Sequence, residues 1–325
     1  MFARPTTMNF SAALRDIRSD KPKIRVTAAD ILGDAKDEEE RTAAFSALAE
    51  ATGDPRPEVR TTACLALASL GRHDAWEILA LCLSDDIPET RQAAAIALGT
   101  LGANDSFPAL AEALRDGPDD LRFQAASSMV EVDAESSYPP LLDALESTND
   151  SEVLGAIALA LGAIGNADCA DKIAELLDHS ASQTRLDAAY ALSQFGDARA
   201  SDTLAAALSG KEGGWDAVCA LEELGESSLE KLRIFLGTKS GEVQVRLRAA
   251  GAILTLSPES SKLAQTTLLL GLHERKFEMR AFALQLLSSQ AGEWAISALT
   301  EFRKSRRSKA LRDEVDEALT AISKR

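Results

Sequence analysis

Two stretches decide how this chain is read: VRTTACLALASLG at residues 59–71 and TRQAAAIALGTLG at residues 90–102. Overlaid, they share an arginine in second place, small residues in the middle, leucines at matching points and a closing glycine. The same frame returns at residues 184–196 with Arg185, Ala188, Leu192 and Gly196, and at 245–257 with Arg246, Ala249, Ile253 and Leu256. Its arginine falls at positions 25, 60, 91, 122, 185, 246, 280 and 312, mostly about 31 residues apart. Leu154 and Gly214 stand where the arginine is missing. Self-similarity at a period of roughly 20–50 residues is the signature of a stacked-repeat architecture.

Each period reads as two helices. The first carries Val59, Ala63, Leu67 and Leu70, which is one face of a 3.6-residue helix. Gly71, Gly102, Gly165, Gly196 and Gly225 follow as stops, where a left-handed residue ends a helix at little cost in glycine. The second helix carries the stripes Ala75-Leu79-Leu83, Ser106-Leu110-Leu114 and Ala200-Leu204-Leu208, and Asp85, Asp116 and Asp178 close units. A single pair cannot bury both stripes, so neighbours must stack on one continuous core. The expected fold is all-α, with about nine helical pairs plus caps. The N-terminal cap is expected over 9–19 (Phe10, Leu14, Ile17). The closing helix is expected over 308–323 (Leu311, Val315, Ala318, Leu319, Ile322).

The stretches from Pro57 to Gly71 and from Glu89 to Gly102 resemble the HEAT-repeat family, and most of all its short bacterial phycobilin-lyase-type repeats. The resemblance covers roughly residues 20–323. It implies a right-handed α-α solenoid, or superhelix, whose second helices line a concave groove. It also implies a structural ladder of Arg60, Arg91, Arg122, Arg185, Arg246 and Arg280 with Asp85, Asp116 and Asp178, in which Asp85 meets Arg91 and Asp116 meets Arg122. Three units depart from the pattern. Tyr138-Pro139-Pro140 enters a second helix, Gly213-Gly214 replaces a helix start, and Gln290-Ala291 replaces a glycine stop.

Composition narrows the function. With 46% apolar and 26% charged residues the chain is too apolar to be disordered. Its net charge is −16, and residues 30–225 alone carry −25, against +4 before them and +5 after them. A field of that sign repels phosphate, which argues against nucleic acid over most of the surface. The basic stretch Arg303, Lys304, Arg306, Arg307 and Lys309 is the exception, read either as a solvated loop or as a site for nucleic acid or anionic lipid. The charge shift suggests three segments: a tail and cap over 1–19, acidic repeats over 20–210, and more basic repeats over 211–325. Residues 210–216 are then either a degenerate repeat or a bend.

The longest uncharged apolar run, Val153–Ala167, is shorter than the roughly 20 residues of a membrane-spanning helix. The N-terminus shows no signal-peptide core. Cys64, Cys82, Cys169 and Cys219 form no CxxC and read as core residues, so the expected location is the cytoplasm. His73, His179 and His273 make no HExxH. The one His-Glu pair, His273-Glu274, cannot supply a metal shell, as the iron-binding HEAT-like hydroxylases would require. No phosphate-binding glycine loop or nucleophile set is visible, so no catalytic residue, metal or cofactor is expected.

Two rows on the second helices are the candidate partner sites. Phe45, Trp76, Phe107 and Tyr138 are each 31 residues apart. They form either packing wedges or an aromatic strip. Glu50, Glu112, Asp143 and Glu175, broken by Leu81, form an acidic row, with Glu77, Asp171 and Asp202 one turn earlier. They serve solubility or recruit a basic segment. The expected function is therefore a non-enzymatic scaffold or adaptor that binds one or more proteins through a groove. The alternatives are a phycobilin-lyase-like subunit or chaperone of chromophore attachment, and nucleic-acid binding through the C-terminal basic stretch.

Overall fold

The structure is a computed structural model, and it describes residues 9–210, 214–238, 240–257 and 261–324. Among the described residues it contains twenty α-helices linked by turns and short 3₁₀ segments, with no strand. They divide between two compact units, residues 1–166 and 167–325. This division follows packing, whereas the one at residue 210 follows charge.

The first unit holds α1 (Phe10–Asp16), α2 (Pro22–Gly33), α3 (Glu38–Ala51), α4 (Pro57–Ser69), α5 (Trp76–Cys82), α6 (Pro88–Leu101), α7 (Phe107–Asp116), α8 (Asp119–Val132), α9 (Ala134–Ser147) and α10 (Ser151–Ile164). The second holds α11 (Ala170–Glu175), α12 (Ser182–Gln194), α13 (Ser201–Ala207), α14 (Gly214–Glu223), α15 (Leu229–Thr238), α16 (Val243–Leu256), α17 (Lys262–Gly271), α18 (Phe277–Gln290), α19 (Ile296–Lys304) and α20 (Arg312–Ser323). Helices α2 to α19 make the nine expected pairs, and α1 and α20 are the caps.

Local chemistry sets the boundaries. Pro22, Pro57 and Pro88 open α2, α4 and α6 at a first-turn position, where a missing N–H costs nothing. The five glycine stops all have positive φ, for example +61° at Gly102, which caps α6. At the variant stop after Gln290, Ala291 ends α18 in an extended conformation instead. Helix α9 runs through Pro139 and Pro140 in its first half. The expected bend at 210–216 rests on residues 211–213, which lie outside the described residues.

The core is the expected double stripe. Leu48, Leu67, Leu79, Leu98, Leu110, Leu141, Ile157 and Leu161 have no exposed surface in the first unit, nor have Leu192, Leu204, Leu232, Ile253, Leu268 and Leu299 in the second. In the N-terminal cap Ala13 and Ile17 are the buried residues, while Phe10 and Leu14 are only half-buried. The closing helix begins at Arg312 rather than 308, and Leu311, Val315, Ala318 and Ile322 are buried there.

One expectation is overturned by the packing. Within the first unit, the arginine-bearing helices α2, α4, α6 and α8, with α10 next in line, lie against one another along their length, whereas α3, α5, α7 and α9 diverge. An array bends toward the layer whose members are closer. The inner face of this unit is therefore formed by the first helices of the pairs, not the second. The cause is side-chain size. A Cβ added to Gly33 on α2 would stand 3.0 Å from the Ala66 Cα of α4. One added to Gly99 on α6 would stand 3.1 Å from the Ser128 Cα of α8 and 2.6 Å from a Glu131 carboxylate oxygen. Gly99→Val is expected to cost about 1–3 kcal/mol despite valine's better helix propensity, because the neighbour in the way is backbone. A variant as resistant to urea as the parent would show that the two helices can part freely.

The second unit bends the same way, since α12, α14, α16, α18 and α20 are again the closer set. The Trp215 ring of α14 reaches over α16 to the Phe282 ring of α18, 5.4 Å between centroids. The Arg248 guanidinium lies 5.9 Å from the Trp215 ring and pairs with Glu222.

Candidate interaction surface

The frame arginines are placed by their helix starts, and each reaches back over the turn that precedes it. Arg25, Arg60, Arg91, Arg185 and Arg280 each donate to the backbone carbonyl six residues earlier: Ser19, Asp54, Asp85, His179 and Glu274 respectively. In the first unit the same side chains also reach forward to a carboxylate. Arg25 forks onto Asp54 at 2.7 and 2.8 Å, Arg60 onto Asp85 at 2.7 Å twice, and Arg91 meets both oxygens of Asp120 at 2.9 and 3.0 Å. The result is a continuous chain: Arg25, Asp54, Arg60, Asp85, Arg91, Asp120. These side chains are largely buried, with Arg60 and Asp85 12% and 11% exposed.

Burial alone raises the Asp54 and Asp85 carboxyls. The arginine hydrogen bonds and the amides of Arg56 and Ile87 outweigh it and hold both below the usual carboxylate range.

This geometry corrects the expected links. Asp85 offers Arg91 its carbonyl, while its carboxylate belongs to Arg60. Asp116 pairs with its neighbour Arg115, and Arg122 donates to the Leu114 carbonyl and meets Asp119. The turn before Arg122 reads Gly117-Pro118, and it presents a different carbonyl from the turns at Asp54 and Asp85. Asp178 is exposed, and Arg185 takes the carbonyl of His179. Arg246 is half-buried on α16. Asp54 and Asp120 are ladder members that the repeat frame does not point to, although the six-residue spacing of Asp54–Arg60 and Asp85–Arg91 carries the signal for the first of them.

The aromatic row is half-buried at all four positions, Phe45, Trp76, Phe107 and Tyr138, one on each of α3, α5, α7 and α9. Phe45 lies under the Arg72 guanidinium, 4.6 Å from the ring centre. Their helices belong to the diverging outer layer, so the row does not line the inner face. The acidic row is exposed. In the first unit Glu50 pairs with Arg18 at 2.7 Å, while Glu77, Glu112 and Asp143 face solvent. In the second unit Asp171 pairs with Arg199 at 2.8 Å, Asp202 pairs with Lys231, and Glu175 is exposed.

The C-terminal basic stretch is partly committed to the protein itself. Arg303 forks onto Asp316 of α20, and Arg307 donates to the His273 carbonyl, while Lys304, Arg306 and Lys309 are exposed.

A further surface in the first unit lies outside the two rows read from the sequence. On the solvent side of the inner layer, successive helices α4, α6, α8 and α10 expose Leu65 (41%), Ile96 (39%), Phe123 (46%) and Leu159 (36%). Most residues one turn away are uncharged: Thr62, Ser69, Gln92, Thr100, Ser127 and Ala163; the exposed Asp119, one turn before Phe123, is charged. Glu89 and Glu152 stand exposed at the helix starts, along one edge of this floor.

Chemistry-bearing groups do not gather. Among the described residues no three His, Cys, Asp or Glu side chains come together as a metal site. In one cleft of the first unit Arg25, Glu50, Asp54 and Arg56 are already engaged, Arg25 with Asp54, Glu50 with Arg18 and Arg56 with Glu58. Cys64, Cys82 and Cys169 are buried, and Cys219 is half-buried. No described helix is long and apolar enough to cross a membrane.

A HEAT-repeat sequence profile matches residues 10–86, 77–130 and 138–225, well over half the chain. The chain belongs to the HEAT-repeat family. A crystal structure of importin beta is similar over 97% of this chain and 52% of that one, with a TM-score of 0.66 at 15% identity. Kap121p bound to Pho4p is similar over 97% of this chain and 41% of that one, with a TM-score of 0.51 at 13% identity. The chain thus spans about half the length of these larger solenoids or less. The CpcE–CpcF complex of phycocyanin lyase from Nostoc sp. PCC7120 is matched over 83% of this chain and 96% of that one, with a TM-score of 0.40 at 24% identity. A comparison with curated protein sequences finds no match. At these identities the likeness speaks to the fold, a HEAT α-solenoid.

Proposed function

We propose that this protein is a non-enzymatic scaffold whose inner face in the first unit receives a segment of another protein. One observation carries the reading: four consecutive inner helices each turn a large apolar side chain to solvent on a mostly uncharged floor, in a chain of net charge −16. Solvent would favour charge there, as it has it elsewhere on this surface. A contiguous exposed apolar patch is the usual mark of an interaction site.

Spacing adds to this. Neighbouring packed helices lie about 8–10 Å apart. A partner helix advances about 10 Å in seven residues, so apolar residues at heptad spacing would meet successive members of the row. Glu89 and Glu152 along the edge, and the negative field of residues 30–225, favour a partner with lysine or arginine beside its apolar face. The structures of Kap121p bound to Pho4p and to Ste12p are of solenoids of similar fold with protein partners, which is consistent with such a role.

The test is affinity capture from the native host, identified by mass spectrometry and repeated with Leu65→Ser/Ile96→Ser/Leu159→Ser. Each replaced side chain is at least one-third exposed, so the triple variant is expected to fold like the parent. We expect it to retain less than about a tenth of the specifically captured protein, since covering each of these apolar side chains in a complex contributes on the order of 1 kcal/mol. Full retention by a variant of unchanged melting temperature would overturn the assignment.

A further inference from the structure

On α5, in the outer layer of the first unit, Leu81 is 79% exposed, more than any other large apolar residue among those described. Its orientation is dictated by its place in the repeat. It follows by two residues the fully buried Leu79, and two residues turn a helix by about 200°. The same place is held by Glu50 after Leu48, by Glu112 after Leu110 and by Asp143 after Leu141, and all three are exposed. In these four outer helices the position is therefore acidic except here. One turn earlier on α5 stands Glu77, also exposed. The nearby cations are already engaged: Arg72 with Asp74 and the Phe45 ring, Arg115 with Asp116, and Arg18 with Glu50. An apolar knob thus projects between carboxylates that lie along the array and along its own helix.

We propose that this ridge is a second docking surface, for a basic protein segment that carries one large apolar residue between cationic ones. Charge decides the occupant. A second copy of the chain would bring the same carboxylates face to face, and nucleic acid or an anionic membrane would be repelled. A positively charged segment meets Glu77, Glu112 and Asp143 while its apolar residue covers Leu81. The ridge lies on the layer opposite the inner face and differs from it in chemistry, one side a single apolar knob among carboxylates and the other a mostly uncharged apolar floor. The protein can therefore hold two different segments at once, and this proposal does not depend on the inner-face reading.

The experiment uses two fluorescent lysine-alanine peptides of about 13 residues, identical except for a central leucine or serine, long enough to span three repeats. Anisotropy is measured at about 50 and 300 mM NaCl, across which screening of exposed charges changes strongly. The protein is expected to bind the leucine peptide roughly five- to tenfold more tightly than the serine peptide. Leu81→Ser erases that preference. Glu77→Gln/Glu112→Gln/Asp143→Asn weakens both peptides and flattens the salt dependence. The inner-face variant Leu65→Ser/Ile96→Ser/Leu159→Ser binds both peptides as the parent does, so loss of one surface is read apart from loss of the other. No binding by the parent, equal affinity for the two peptides, or an unchanged preference in Leu81→Ser would overturn the proposal.

Discussion

Leu98→Ala is expected to lower the unfolding free energy of the first unit by about 2–5 kcal/mol, toward the upper end of that range. The size follows from where the methyl groups sit. Leu98 has no exposed surface and lies on α6, in the interior of the stack of inner helices. A large-to-small change costs the forfeited transfer energy plus a cavity term that depends on how far the surroundings collapse. Here they cannot collapse far, because Gly99 next door already brings α6 against the Ser128 backbone of α8. Chemical denaturation of parent and variant, with slopes compared as well as midpoints, measures the loss. A loss below about 0.5 kcal/mol, the scale of an ordinary surface substitution, would mean that the shared core runs elsewhere.

How much of this is legible in the sequence varies by element. The pairs, their count and their glycine stops are, because each rests on local rules: helical periodicity and the positive φ that Gly71, Gly102 and Gly165 adopt. Which layer turns inward is not, although a signal is present. Apolar stripes say which face of a helix is buried, but the bend of a stack depends on how closely each layer packs. That in turn depends on residues such as Gly33, Ala66 and Gly99, whose small size lets first helices approach. Leucine-rich second helices cannot approach so closely, and they diverge.

The same distinction explains the candidate sites. Phe45, Trp76, Phe107 and Tyr138 do hold one place from repeat to repeat, but periodicity cannot say how deep a side chain lies, and all four are half-buried on the outer layer. Leu65, Ile96, Phe123 and Leu159 are hidden for a related reason. Leu65, Ile96 and Leu159 hold one frame position, five residues after Arg60, Arg91 and Leu154, and Phe123 sits a turn earlier, but the frame does not say that this position faces solvent.

The second large effect is expected at the ladder. Arg60→Leu removes a guanidinium that forks onto Asp85, donates to the Asp54 carbonyl and meets Asp86. It leaves the Asp85 carboxylate largely buried with its main partner gone. Breaking a fully buried pair from one side costs about 3–5 kcal/mol; this one keeps some contact with water, so about 2–4 kcal/mol is expected. Because much of that is the penalty on the stranded carboxylate, Arg60→Leu/Asp85→Leu is expected to lose less than the sum of the single variants, which a double-mutant cycle reads directly.

Acid titration gives the second readout. Asp54 and Asp85 titrate below the usual carboxylate value in the folded protein, so the unfolded chain takes up their protons first. Their contribution is complete above the unfolded value of about 4 and disappears as the pH falls through the lower folded values. Unfolding measured from neutral pH down to about pH 2 should therefore show a steep loss below about pH 4 that is shallower in Asp85→Asn, where one of the two groups no longer titrates. Identical acid limbs for parent and variant would mean that the ladder holds the repeats by shape alone, with its charges contributing nothing.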